Sequence, residues 1–228
     1  MNPEPDKLDQ VLARAAAPEP VDPELLERIS GALLPGLRPV RPIPPVEAMA
    51  AGLWLLAAAV ATAAAAILGM HGLAKLSGVQ ALLILAAIAL LGGLAASQSV
   101  TAMIPGRGRW VNPIALVLGA SLALMGIFAV LFGGYSLHAF VPQGVPCLTA
   151  GLSVALPAGA GAWLILRRGF AVDPAAAGLA AGTLAGLAGV TMLELHCPNL
   201  RAIHVLVWHV AVIPLSAVAA ASLARKAA

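Results

Sequence analysis

From residue 46 onward the apolar positions follow neither the 3.6-residue stripe of a half-buried helix nor the alternation of a strand. They run almost unbroken for about twenty residues at a time, six times over, at 46–69, 79–103, 113–132, 147–166, 174–195 and 203–223. A hydrocarbon core of about 30 Å takes roughly 20 helical residues to cross. The connections are short and carry turn signals: Gly72 and Gly78, Pro105-Gly106, Gly133-Gly134 with Pro142 and Pro146, Gly169 with Asp173-Pro174, and Pro198. The pattern predicts an all-α membrane protein, a six-transmembrane helix bundle. The second span is weakest at its end, where Ser97, Gln98, Ser99 and Thr101 thin the apolar run.

Before residue 46 the pattern is different. Leu8, Val11, Leu12 and Ala15 recur at i, i+3, i+4, i+7. Asp22-Pro23-Glu24 then reads as an N-cap, a proline at the first helical position and an acidic first turn. Leu25, Leu26, Ile29 and Leu33 supply that helix with an apolar stripe. Five prolines between Pro35 and Pro45 stop it and make a stiff, extended spacer. So short a helix pair cannot bury a core of its own. It lies on the membrane surface or folds onto a partner, with Leu8, Val11, Leu12, Leu25, Leu26 and Ile29 as the contact residues. Two regions result: a segment 1–45 and a six-helix transmembrane domain 46–228.

Composition supports the membrane reading. The chain is 61% hydrophobic and only 10% charged, against roughly 25% charged in a soluble domain. Residues 1–46 hold 12 of the 23 charges. The first long apolar run starts too late for a secretory leader, so the first span is expected to serve as an uncleaved anchor. Eleven of the 13 Lys and Arg residues fall in the N-terminal segment, after spans 2 and 4, or in the tail; Lys75 and Arg201 alone fall on the other side. That bias predicts cytoplasmic termini. It also accounts for the net charge of +3 without a nucleic-acid partner.

The residues capable of chemistry gather at the opposite, non-cytoplasmic face. Cys147 heads the fourth span, and Cys197 lies in the connection after the fifth, held out of the helical region by Pro198. His71 and His138 fall in the first two connections of that face, and His196 precedes Cys197. His204 opens the last span, His209 lies five residues deeper, and Glu194 sits at the same edge. Trp208 follows His204 by four residues, which on an α-helix is one face. Two functional readings stand beside an inert structural disulfide: a reversible Cys147–Cys197 disulfide, or a Cys/His metal site with His196, Cys197, His204 and His209 as donors. Interfacial anchoring accounts best for His71 and His138. Gly178, Gly182 and Gly186 recur every four residues and would let a neighbouring helix approach closely. Pro157 and Pro214 are expected to kink their spans. With no phosphate loop, dinucleotide fingerprint or paired-carboxylate motif, no enzymatic activity is expected. No cofactor is expected either, a metal ion being left open.

His196-Cys197-Pro198, then His204, then Trp208-His209 resembles the C-terminal signature of the NrsF-like family, negative regulators of an extracytoplasmic-function sigma factor. Pro105-Gly106-Arg107, the Pro39-Val40-Arg41-Pro42 stretch and Cys147 are similar to that family too. The resemblance implies a membrane-bound anti-sigma factor of the bacterial inner membrane. Its N-terminal segment would hold the sigma factor inactive, and a periplasmic redox or metal stress sensed at Cys147 and Cys197 would release it. His196, His204, His209 and Trp208 match the signature and stand as candidates for metal binding or sensing support, with no family role assigned to them. The alternative from another class is a periplasm-facing protein that binds or transports metal or haem.

Overall fold

Four helices start where a short polar side chain meets a backbone N–H that has no partner in the first turn. The Asp22 carboxylate accepts from Glu24 N at 3.0 Å and opens α1, Pro23–Leu33. A reciprocal Ser77–Gln80 capping box opens α3, Gly78–Thr101. Asn112 Oδ1 accepts from Ile114 N to open α4, Pro113–Leu131, and Asp173 Oδ1 from Ala176 N to open α6, Pro174–His196. Between them run α2, Val46–Leu68, and α5, Phe140–Leu166. The last span, α7, is Ala202–Lys226. This computed structural model describes residues 7, 9, 10, 12, 22–34, 44–108, 110–167, 171 and 173–227, with no strand among them.

The chain forms two compact units, Met1–Ile43 and Pro44–Ala228. In the first, α1 buries none of its residues; Leu25, Leu26, Ile29 and Leu33 are exposed along it, as is Leu12. Leu8 and Val11 lie outside the described residues.

In the second unit, six helices of 19 to 27 residues are long and apolar enough to cross a membrane. At a rise of about 1.5 Å per residue, the shortest nearly spans the hydrocarbon. Leu55, Ile67, Leu82, Leu90, Leu118 and Leu156 stand outward, where only lipid would shield them. The helix α6 is the exception. Its most apolar window is 83% buried, against 22 to 28% for the first four spans, and it packs against all five other spans. Its sequence explains why it can sit at the centre. Alanine and glycine dominate it, so neighbouring backbones come close on every side.

The Gly178, Gly182 and Gly186 stripe is the clearest case. A Cβ on each would lie 2.6 to 2.7 Å from the Cα of Ala221, Ala217 and Ile213 in turn. These are backbone contacts between α6 and α7 and cannot yield by side-chain rotation. Gly182→Val is therefore expected to force the pair apart and cost about 2 kcal/mol or more, read as earlier thermal unfolding in detergent. Gly52→Val, where nothing lies within 4 Å, is the matched control with little expected effect.

Five span boundaries agree with the apolar runs to within a few residues. In α3 the polar end belongs to the helix: Ser99 Oγ donates to Ala95 O and Thr101 Oγ1 to Gln98 O. The fourth span differs. It begins at Phe140, so Cys147 lies about two turns inside α5 and does not head it. Pro142 and Pro146, read from sequence as turn residues, are both helical. Pro142 is in the first turn, where the missing N–H has no helical acceptor to satisfy. Pro146 is accommodated farther in, as is Pro157.

The helix α7 departs from α geometry at its head. Residues Val205–His209 form a π turn, with Val210 N donating to Val205 O at 3.4 Å. Pro214 has no N–H for Val210 O, and that carbonyl accepts from Ile213 N instead. The turn thus sits directly above a proline that already breaks the ladder.

Three connections meet at the cysteine end of the bundle. Gly72 N donates to His196 O at 3.1 Å, Lys75 Nζ to Pro198 O at 3.2 Å, and Ala202 N to Gly133 O at 2.9 Å. Asn199 Nδ2 donates to Gln143 Oε1, and Arg201 Nη1 to His138 O.

Candidate functional site

Three helices and one connection converge beneath this end. α5 brings Cys147, α6 brings Glu194, the α6–α7 connection brings Cys197, and the π turn of α7 brings His204 and His209. Residues five apart on an α-helix point about 140° away from each other. The i→i+5 bond of a π turn returns them to one side. The His204 and His209 rings accordingly meet edge-on with centroids 5.2 Å apart.

The two Sγ atoms lie 3.4 Å apart, each a free thiol. A small side-chain rotation would bring them to the ~2.05 Å of a disulfide. His204 Nε2 is 3.6 Å from Cys197 Sγ. His209 Nδ1 and Glu194 Oε1 share a hydrogen bond of 2.7 Å. Cys197, His204, His209 and Glu194 are all buried, and Cys147 is half-buried. One donor atom from each of Cys147, Cys197, His204 and His209 falls within 4.8 Å of the other three, so the set could hold a metal ion.

Burial leaves several polar atoms here without a hydrogen-bond partner among the described residues: Glu194 Oε2, His204 Nδ1 and His209 Nε2. Each such group costs about 1–3 kcal/mol. A cluster of them in one place marks a site where stability has been given up. The Cys197 thiol, which lies beyond the end of α6, is pushed above its ordinary value by its hydrogen bond with Cys147 and by burial; His204 and His209 pull the other way.

The other sequence candidates fall elsewhere. His196 turns away from the cluster: its Nδ1 is 2.8 Å from Gly69 O and its ring lies tilted by 56° against that of His71, centroids 5.9 Å apart. It ties the first connection to the end of α6. Trp208 packs on Phe140, centroids 5.1 Å apart, and its indole fills the space a Cβ on Gly144 would need. His138 is exposed. Two residues carry more of the site than their spacing suggested. Glu194 stands out in sequence as an ionisable group in a span, but fifteen residues separate it from His209 and no helical period links them. Gly72 lies on the Glu194 and Cys197 backbone, where a Cβ would come within 2.5 Å of Glu194 O and 2.7 Å of Cys197 O.

Neither the curated proteins nor the solved structures contain a match to this chain. A family model described as "Negative regulator of sigma F" matches residues 33–227. It takes in every membrane-spanning helix and the whole cysteine–histidine cluster, and leaves nearly all of α1 outside. The chain belongs to the NrsF family, the negative regulators of sigma F.

Proposed function

We propose that the protein is a membrane-bound anti-sigma factor for an extracytoplasmic-function sigma factor. It sits in the bacterial inner membrane with both termini in the cytoplasm and the Cys147–Cys197 pair toward the periplasm. Family membership supports the regulatory role, and the eleven-to-two distribution of Lys and Arg supports the orientation. The observation that carries the sensing is the pair of thiols at 3.4 Å beside two buried histidines. A peroxide-class oxidant would take two electrons and two protons from the thiols, forming one S–S bond and releasing water. That would draw α5 toward the end of α6 and the connection that follows it. In this reading α1 docks on the sigma factor through Leu25, Leu26 and Ile29, with Leu8, Val11 and Leu12 extending the contact.

Full-length protein purified from its host membranes is expected to carry a sigma factor. A Leu25→Asp/Ile29→Asp variant is expected to lose it while staying in the membrane. Recovery of no sigma factor with the wild-type chain would overturn the regulatory reading. With Cys147→Ser/Cys197→Ser, sigma-dependent transcription should no longer respond to oxidant; an intact response would remove the thiols from the mechanism.

A further inference from the structure

We propose that Cys147, Cys197, His204 and His209 form a binding site for one divalent cation of the zinc class, with Glu194 orienting His209 from outside the ligand shell. The proposal rests on geometry and stands or falls apart from the sigma-factor reading.

The donor set is the first ground. Two thiolates and two imidazoles suit a borderline-soft ion with tetrahedral preference. Metal–sulfur bonds of about 2.3 Å and metal–nitrogen bonds of about 2.0 Å put tetrahedral donors roughly 3.3 to 3.8 Å apart. The Sγ–Nε2 distance of 3.6 Å already matches a sulfur–nitrogen pair, and the Sγ–Sγ distance of 3.4 Å would open by about 0.4 Å to reach the roughly 3.8 Å of two bound sulfurs. The widest separation in the set is no more than 4.8 Å, so closing it takes about 1 Å of side-chain movement.

The second ground is independent of the count of donors. His209 is fully buried, and its Nδ1 is engaged by Glu194 while its Nε2 has no partner among the described residues. That is the arrangement of a carboxylate-oriented ligand histidine: a proton held on one nitrogen leaves a lone pair on the other. His204 presents its Nε2 to the same space from one π turn above. Binding would break two S–H bonds, release two protons to solvent and form two metal–sulfur bonds, with no change of oxidation state. The ligand set differs from one drawn by sequence adjacency. His196 is committed to Gly69 O, and Cys147, fifty residues before Cys197, takes the fourth place.

The same two sulfurs cannot serve a disulfide and an ion at once. Reduced protein would hold the cation, and oxidation of the pair would expel it.

The test uses the reduced full-length protein in detergent, titrated with zinc and with cobalt(II) as a spectroscopic stand-in. One ion per chain is expected, with a thiolate-to-cobalt charge-transfer band and the strong visible absorption of tetrahedral cobalt. His209→Ala and His204→Ala should abolish that spectrum. Glu194→Gln should weaken zinc binding about 10- to 100-fold. His138→Ala should leave it unchanged. A spectrum without the thiolate band, or affinity unaltered in both His209→Ala and Glu194→Gln, overturns the proposal. Because a variant can fail to fold, the wild-type chain supplies a second measurement: zinc should protect both thiols from maleimide, and equal labelling with and without zinc also overturns the site.

Discussion

Glu194→Ala is expected to lower the stability of the transmembrane domain by about 3 kcal/mol, the largest effect of any single side-chain truncation at the site. The carboxylate is 1% exposed and its hydrogen bond to His209 is 2.7 Å long. Whichever group holds the shared proton, removing the carboxylate strands a fully buried imidazole in a low-dielectric interior. Glu194→Gln keeps an oxygen acceptor and should cost less than half as much. Replacing both partners by leucine removes the polar demand altogether and should recover most of the loss. Unfolding by titrated denaturing detergent, followed by circular dichroism, measures all four chains. A loss below about 0.5 kcal/mol for Glu194→Ala would mean that the pair is not a structural element.

The two halves of the architecture were legible in sequence to different degrees. The spans were readable because twenty uninterrupted apolar residues admit almost no other fold. The α1 start was readable because Asp22-Pro23-Glu24 is a local device, and Asp22 Oδ1 does accept from Glu24 N. The start of α5 was not, because Pro142 and Pro146 signal a turn in isolation, yet each occurs inside this helix. The site was harder still. That cysteines and histidines lie at one end follows from topology. Which of them meet does not. Adjacency suggested His196, which faces Gly69, and the four-residue step suggested Trp208, which faces Phe140. What decides membership is one extra residue in a helical turn. Pro214 was the available signal: a proline inside a span frees a carbonyl one turn upstream and invites irregular backbone there. With that irregularity, five-residue spacing becomes a shared face.

The five-residue spacing of His204 and His209 is expected to set the second large effect, which separates two one-residue changes: a deletion that leaves the cluster intact and an insertion that breaks it. The head of α7 is pinned by Ala202 N to Gly133 O and by Arg201 Nη1 to His138 O. Its lower part is pinned by the close backbone contacts of Ile213, Ala217 and Ala221 with the α6 glycines. A change of length between these anchors must be absorbed in the π turn. Deleting Val207, whose side chain is exposed, converts the turn to ordinary α geometry and sets His204 and His209 four residues apart, again on one face. The deletion is therefore expected to preserve the cluster, with maleimide labelling of Cys197 within about threefold of wild type, a change in protection below 1 kcal/mol. Inserting one alanine at the same place adds about 100° of rotation. His204 then leaves both His209 and Cys197, and the polar atoms it carried must be reburied elsewhere. Labelling of Cys197 should rise tenfold or more, the equivalent of about 1.4 kcal/mol of lost protection. A helix that merely tolerates or merely suffers from any change of length would respond alike to both. Unequal responses in this direction would identify the π turn as the element that builds the site.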